Sequence, residues 1–519
     1  MLKLPLLFQD HMVLQCEKEV IVWGTGKPNA KIHISMQGKS VQTEADANGN
    51  WKVACGPFEV SFKEEMIIVS DTERIVLQDV QVGEVWLAGG QSNMEFPLRF
   101  EKHRDAELTT QNPNLRFFDV PKKFYMEQDR DFDYSHVGIW READKESLPY
   151  FSAVGYYFQK ELETDLSVPV GIIGCNWGGT RSCAWMKEET VQRVGPAWIQ
   201  NWEKITAGMD MDQFWSEQRT NPQNNNGNPG TDPFDALIMP ATPTMEEIVG
   251  FFRAMMQAAG VPDNGNGGDI AQAMSAYQTT VEPKNKPGIL FQNMVENTAP
   301  YTVRGVIWYQ GESDDVDGLQ DLYGDMIEGL INDWRDAWQD QELPFFQVQL
   351  PGWGSWMMQH NLNYAAIRRG QEDVTKRLKN VYRTSISDVG EELDIHPKDK
   401  RTVGHRLAGM VRHYIYGEDI LCEAPRPQKA EREGKTLTVT FQYAGSGLKL
   451  VGETIAALEV TQNGSDVPYT AKTEQDKLIL LLKADIQGSV ELKFAQGAWY
   501  QVNLYNSEDI PAIPFTMVI

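Results

Sequence analysis

The chain predicts an α/β fold: a mainly parallel sheet with helices on both faces, with a β-rich module at each end. Three observations predict it. From about residue 81, short apolar strands alternate with helix-spaced segments, the order that builds a parallel sheet covered on both sides. Residues 1–80, and those from about 425 onward, read instead as short strands punctuated by Gly, Pro and Asn. At 519 residues the chain is also too long for one core, so two to four domains are expected.

In chain order, "VIVWGTG", "KIHISMQGKSVQTEA" and "NWKVACG" suggest a small N-terminal β-sandwich over 1–80. In the central domain, 81–424, "VGEVWLAGG" is strand-like and "SAVGYYFQKELETDL" (152–166) has helical spacing. "PVGIIGCNWGG" (169–179) and "TVRGVIWYQGESD" (302–314) are apolar strands running into polar turns. Leu319, Leu322, Tyr323, Met326, Ile327, Leu330, Ile331, Trp334 and Trp338 form one helical stripe. "LPFFQVQL" (343–350) and "VYRTSIS" (381–387) add strands, and Val403, Leu407, Met410, Val411 and Tyr414 a further helix. Residues 187–286 break the rhythm with "NPQNNNGNPGTDP", the helical "MEEIVGFFRAMMQAAG" and "DNGNGGD". They read as an inserted, helical subdomain, equally suited to decoration or to forming a wall of a site. "KTLTVTFQYAG", "KLILLLKA" and "SVELKFA" mark a C-terminal β-rich module, 425–519.

Composition narrows the function. A net charge of −25 argues against nucleic acid or an anionic membrane as partner. The five cysteines, Cys16, Cys55, Cys175, Cys183 and Cys422, are scattered and odd in number, which fits buried thiols better than a disulfide framework. The start "MLKLPLLFQDHMVLQ" is no secretory leader and no segment is long enough to span a bilayer. The cytoplasm is the expected compartment; a chain whose leader had been removed would read the same and would belong to the periplasm or outside. No dinucleotide or phosphate glycine loop, zinc spacing or G-x-S-x-G elbow occurs, so no metal or organic cofactor is expected. "GESDDVD" (311–317) lacks the placement of a calcium loop and fits a helix N-terminus better. Nothing in the sequence sets the oligomeric state.

Four loops that follow expected strands carry Ser92, Gly178-Gly179, Gln310-Gly311-Glu312 and Asp394-Ile395-His396. In a parallel sheet such loops meet at one edge. A serine hydrolase needs a nucleophile, a base, a carboxylate to orient the base, and N–H donors for the oxyanion. Ser92, in "VWLAGGQSNMEF", suits either a nucleophile or an ordinary turn serine. His396 has Asp394 two residues before it; His136, in "DYSH" with Asp133, is a rival base.

"GGQSNM", "WGGT", "IWYQGESD" and "DIHPKDK", in this order, resemble the sialate O-acetylesterase family of SGNH-type hydrolases. "LFQDHMVLQ", "PGILFQNMV" and "NLYNSEDIPAIPF" extend the resemblance over most of the chain outside 187–286. It implies a flavodoxin-like three-layer α/β/α domain with flanking β-modules, and a serine esterase that removes O-acetyl groups from sugars without a cofactor. An acetylated sialic acid is the expected substrate, acetylated xylan or another plant glycan the alternative, and a non-catalytic carbohydrate-binding protein the distant one. Matched by motif, Ser92 is the nucleophile, His396 the base, Gly179 (or Gly178) a backbone oxyanion donor and Gln310 a side-chain one. Asp394 is taken as the triad acid, with Glu392 and Asp388 open. Three departures stand out: Asp314 where relatives often carry Asn, which leaves Gln310 as the side-chain donor; Leu393 where the wider superfamily places its acid, three residues before the histidine; and Ser182-Cys183 after the glycines. Arg181 is a candidate for a sialic acid carboxylate, or else pairs with an acid in the 312–315 cluster. Trp308, with Trp177, Trp185 and Tyr309, is a candidate sugar platform, against the commoner reading of such residues as core.

Overall fold

The computed structural model describes residues 1–225, 227 and 281–519, apart from 72, 131, 136, 357, 358, 453, 485 and 486. The central sheet is built from seven strands: β1 (Arg74–Gly90), β2 (Asn112–Asp119), β3 (Trp140–Ala143), β4 (Val170–Asn176), β5 (Gly305–Tyr309), β6 (Phe345–Gln349) and β7 (Val381–Ser385). Their order is β7-β6-β5-β1-β4-β2-β3, parallel except for β3, which closes the edge antiparallel to β2. From β1 the chain lays down β2 and β3 on one side, inserts β4 between β1 and β2, and then crosses to build β5, β6 and β7 outward on the other. This reversal leaves a crevice beyond the C-terminal end of β1, where ligands of open parallel sheets bind.

Four helices cover the sheet: α1 (Ala153–Leu166), α2 (Tyr323–Trp338), α3 (Tyr364–Arg377) and α4 (Lys400–Tyr414). Side-chain parity assigns them to two faces. Trp86 and Phe346 point to the α1/α4 side, where Trp86 meets Phe158 edge-on at 5.3 Å and Tyr382 stacks on Tyr414 at 4.0 Å. Trp308 and Phe345 point to the α2/α3 side and pack against Trp334 at 5.5 and 6.0 Å. The result is the three-layer α/β/α arrangement. Tyr323, Met326, Ile327, Leu330, Ile331, Trp334 and Trp338 of the expected stripe are buried in α2, while Leu322 ends a short 3-10 segment before it and Leu319 immediately precedes that segment. Ser152 caps α1 by accepting from the Gly155 N–H, and Asp399 caps α4 by accepting from Thr402.

The boundary expected after residue 80 falls inside β1. The first half of this 17-residue strand pairs with Ser61–Val69 and Val13–Gln15, the second half with β4 and β5. The N-terminal strands accordingly share one hydrophobic core with the central domain. The C-terminal strands enclose a separate core, in which Leu437, Val439, Leu480, Leu492 and Phe494 pack between two four-stranded antiparallel sheets. Of the stretch read as an insertion, Glu188–Val194, Pro196–Ile205 and Met211–Thr220 are helices. "MEEIVGFFRAMMQAAG" and "DNGNGGD" lie outside the described residues. Among the described residues no helix is long and apolar enough to cross a membrane, and all five cysteines are free and buried.

Candidate active site

Gly89 and Gly90 end β1 because nothing larger fits. A Cβ on Gly90 would lie 2.1 Å from the Tyr309 carbonyl oxygen, and its φ of +136° suits glycine alone. The neighbouring strand thereby turns the chain, and Ser92 opens a single helical turn at the sheet edge.

The fourth loop meets this turn. Ser92 Oγ lies 2.9 Å from His396 Nε2, with both residues buried. Asp394 Oδ1 accepts the backbone N–H of His396 at 2.8 Å and stands 3.5 Å from its Nδ1. Lys398 donates to the other Asp394 oxygen. The other two acids left open by the sequence are elsewhere. Asp388 is held by both terminal nitrogens of Arg406 at 2.7 and 2.9 Å, and the Glu392 side chain is exposed. Burial lowers the pKa of the His396 imidazole below its usual value, with Lys400 and Lys398 adding to this and Asp394 opposing it. Burial would raise the Asp394 carboxyl, but the bond and charge of His396 together with Lys398 outweigh it and hold it below the usual range. The base is thus neutral and its partner ionised near neutral pH. Trp356 stands edge-on to the imidazole at 5.0 Å. His136, the rival base, lies outside the described residues.

The glycine loop after β4 closes the other side. A Cβ on Gly178 would touch the Ser92 Cβ at 3.3 Å, so this loop rests against the serine. Gly178 donates its N–H to Glu95 Oε2 at 2.6 Å, and Lys122 holds the other oxygen of Glu95. Gly178 is therefore spent as a donor. The N–H groups of Gly179 and Ser92 carry no hydrogen bond among the described residues. Gly179 keeps a left-handed φ of +73°.

Gln310 departs from expectation. It is fully buried, and its amide N–H groups go to the Thr180 carbonyl at 3.1 Å and to Asp314; its Oε1 accepts from the Tyr323 hydroxyl at 3.1 Å. Both donors are used, so Gln310 joins the loops after β4 and β5 and has no N–H left for an oxyanion. Asp314 in turn accepts the Ser182 N–H at 2.9 Å and the Ser182 hydroxyl. Two of the departures from the family pattern, Asp314 and Ser182, are therefore partners. Asp315 is similarly occupied by the N–H groups of Leu362 and Asn363, so the acidic cluster clamps backbone.

Trp308 also departs from expectation. It is 1% exposed, wedged edge-on to Trp185 and Trp334, and offers no face to a ligand. Its truncation would cost about 3–5 kcal/mol of stability. Trp185 and Tyr309 are equally buried, whereas Trp177 is only half-buried, in the glycine loop itself. Arg181 is half-buried with its guanidinium 5.4 Å from the Trp198 ring, and forms no ion pair among the described residues. Burial raises the Asp314 carboxyl above its usual value, with the bonds from Ser182 and Gln310 and then the Arg181 charge opposing it. Sequence reasoning missed Asn93, Glu95, Glu312 and Lys400, all placed around the serine by bonds from distant segments.

Known proteins resemble this chain over most of its length. The family model for a carbohydrate esterase, the sialic acid-specific acetylesterase, matches residues 231–413. The mouse sialate O-acetylesterase is 26% identical over 462 residues, covering 81% of this chain and 75% of its own. The rat protein of the same name is 24% identical over 98% of this chain and 92% of its own. A solved carbohydrate acetylesterase from Xanthomonas citri superposes with a TM-score of 0.74 at 27% identity, covering 100% of this chain and 99% of that one. Over most of its length the chain is similar to the sialate O-acetylesterases, a family of carbohydrate esterases.

Proposed function

We propose that this chain removes O-acetyl groups from sialic acids through an acetyl-enzyme formed on Ser92. The observation that carries the reading is the 2.9 Å contact between Ser92 Oγ and a buried imidazole nitrogen. The names of the matched family and of its mammalian relatives support the substrate class.

His396 Nε2 takes the hydroxyl proton as Ser92 Oγ attacks the acetyl carbonyl. Asp394 fixes the tautomer that leaves Nε2 free to accept, and stabilises the imidazolium that forms. The Ser92 and Gly179 N–H groups receive the oxyanion, each such donor being worth about 2.7–4 kcal/mol in the transition state. His396 returns the proton to the departing sugar oxygen. Water repeats the cycle on the acetyl-enzyme. Arg181 stands after the glycine loop with its charge free for the sialic acid carboxylate.

Acetate release from O-acetylated sialic acids, compared with acetylated xylo-oligosaccharides, tests the substrate class. Preference for the sialic acids supports the reading; preference for the neutral oligosaccharides rejects it and leaves an esterase of plant glycans.

A further inference from the structure

Three buried polar side chains beside the triad have no part in the steps above. Lys400 is fully buried in the first turn of α4, and its Nζ donates to Asn93 Oδ1. The same nitrogen lies 4.7 Å from the Phe96 ring and 5.3 Å from that of Tyr309. Glu312 is buried on the opposite side: its Oε1 accepts from Asn93 Nδ2 at 2.5 Å, and its Oε2 has no partner among the described residues. Asn93 Nδ2 also donates to the Ile395 carbonyl at 2.9 Å. Asn93 follows the nucleophile and Ile395 precedes the base. One carboxamide therefore joins the two segments whose separation sets the Ser92–His396 contact.

The orientation of that carboxamide is forced by its partners. A backbone carbonyl can only accept, so the Asn93 NH2 must face Ile395, and the oxygen is left for the lysine. Burying a lysine and a glutamate is costly unless each is held. Burial, reinforced by Lys398, pulls the Lys400 amine down to about 7, and burial pushes the Glu312 carboxyl up to about 7. Apolar residues of similar size would fill the same space more cheaply, so stability alone does not account for the pair.

We propose that Asn93 is the positioning residue that sets the Ser92–His396 contact, that Glu312 and Lys400 act through it by fixing its orientation, and that Lys400 is also a neighbouring charge on the imidazole. This rests on the Ser92–His396 mechanism above. Among the described residues the charged groups that face His396 are Asp394, Lys398 and Lys400; Ser92, Trp356 and, at 6.4 Å, Phe96 pack against the ring, and the Lys400 amine sits 4.7 Å from that same Phe96 ring. Among the described residues those that face Lys400 are Lys398, Glu312, Asp394 and Glu391. Removing the Lys400 charge therefore raises the imidazole pKa. The acid limb of kcat/KM, which needs neutral His396, moves to higher pH.

The experiment follows labelling of Ser92 by an uncharged organophosphorus reagent, located by mass spectrometry, together with kcat, KM and the pH profile on a neutral acetyl ester. Label on Ser92 in the wild type supports the underlying mechanism; label elsewhere with Ser92 untouched overturns that mechanism and this proposal with it. With Ser92 labelled, Asn93→Asp, which loses both donors, lowers the labelling rate and kcat by at least about tenfold and leaves KM within about twofold. Glu312→Gln, which still accepts from Asn93, recovers most of what Glu312→Leu loses. Lys400→Met moves the acid limb upward. Labelling of Asn93→Asp at the wild-type rate overturns the positioning role. If Asn93→Asp does not fold, Lys400→Met decides: an unmoved acid limb overturns the proposal.

Discussion

Ser92 Oγ and His396 Nε2 stand 2.9 Å apart although 304 residues separate them in the chain. The contact exists because β1 ends on two glycines that a neighbouring strand crowds, and because the loop that carries His396 ends in the capped start of α4. Both segments arrive at the same edge of the sheet.

Gly90 is the hinge of that arrangement. Gly90→Ala places a methyl group 2.1 Å from the Tyr309 carbonyl at a left-handed φ. The expected outcome is a loss of at least about 2 kcal/mol of stability, together with activity. Urea unfolding measures it, and a Gly90→Ala variant as stable and active as the wild type contradicts it.

Burial lowers the His396 pKa, and catalysis needs the neutral ring. The acid limb of kcat/KM is therefore expected below 6.5, the ordinary imidazole value, with activity lost as pH falls through it. The pH profile on a neutral acetyl ester measures this; a limb above that value contradicts a buried base.

Gln310→Ala separates a structural tie from an oxyanion donor. Both N–H groups of Gln310 are spent on Thr180 and Asp314. Its loss leaves the buried Asp314 short of a donor and is expected to cost about 1–3 kcal/mol of stability. A fall in kcat with an unchanged Tm contradicts this and restores the donor role. A lowered Tm with a parallel fall in activity supports it.

Arg181→Met tests the substrate carboxylate. With no ion pair among the described residues to lose, the variant is expected to lose catalysis on an acetylated sialic acid by about tenfold or more and to keep it on a neutral acetyl ester. Equal loss on both substrates, or loss on neither, rejects the carboxylate role.

What the sequence showed and what it hid differ by range. Ser92 and His396 were legible because each follows an apolar strand in a polar loop, a local pattern. Asn93, Glu312 and Lys400 were not, because their bonds span 219 and 307 residues. Trp308 was read as a candidate platform because it adjoins the motif. β5, however, is buried on both faces, so its parity decides only which helix layer a side chain meets. Helix α3 left no apolar stripe because Arg368 and Gln371 turn inward, where they bind backbone carbonyls of Pro351 and Val348. The pairing of Asp314 with Ser182 was visible only as two separate departures from the family pattern.

The most direct test of the nucleophile is kcat for acetate release from an O-acetylated sialic acid by Ser92→Ala, with the Tm of both proteins measured alongside. Among the described residues the Ser92 hydroxyl hydrogen-bonds His396 alone. The variant is expected to fold as the wild type does and to lose at least about a thousandfold in kcat. A folded Ser92→Ala protein that keeps more than about a tenth of the wild-type kcat contradicts the assignment of Ser92 as nucleophile.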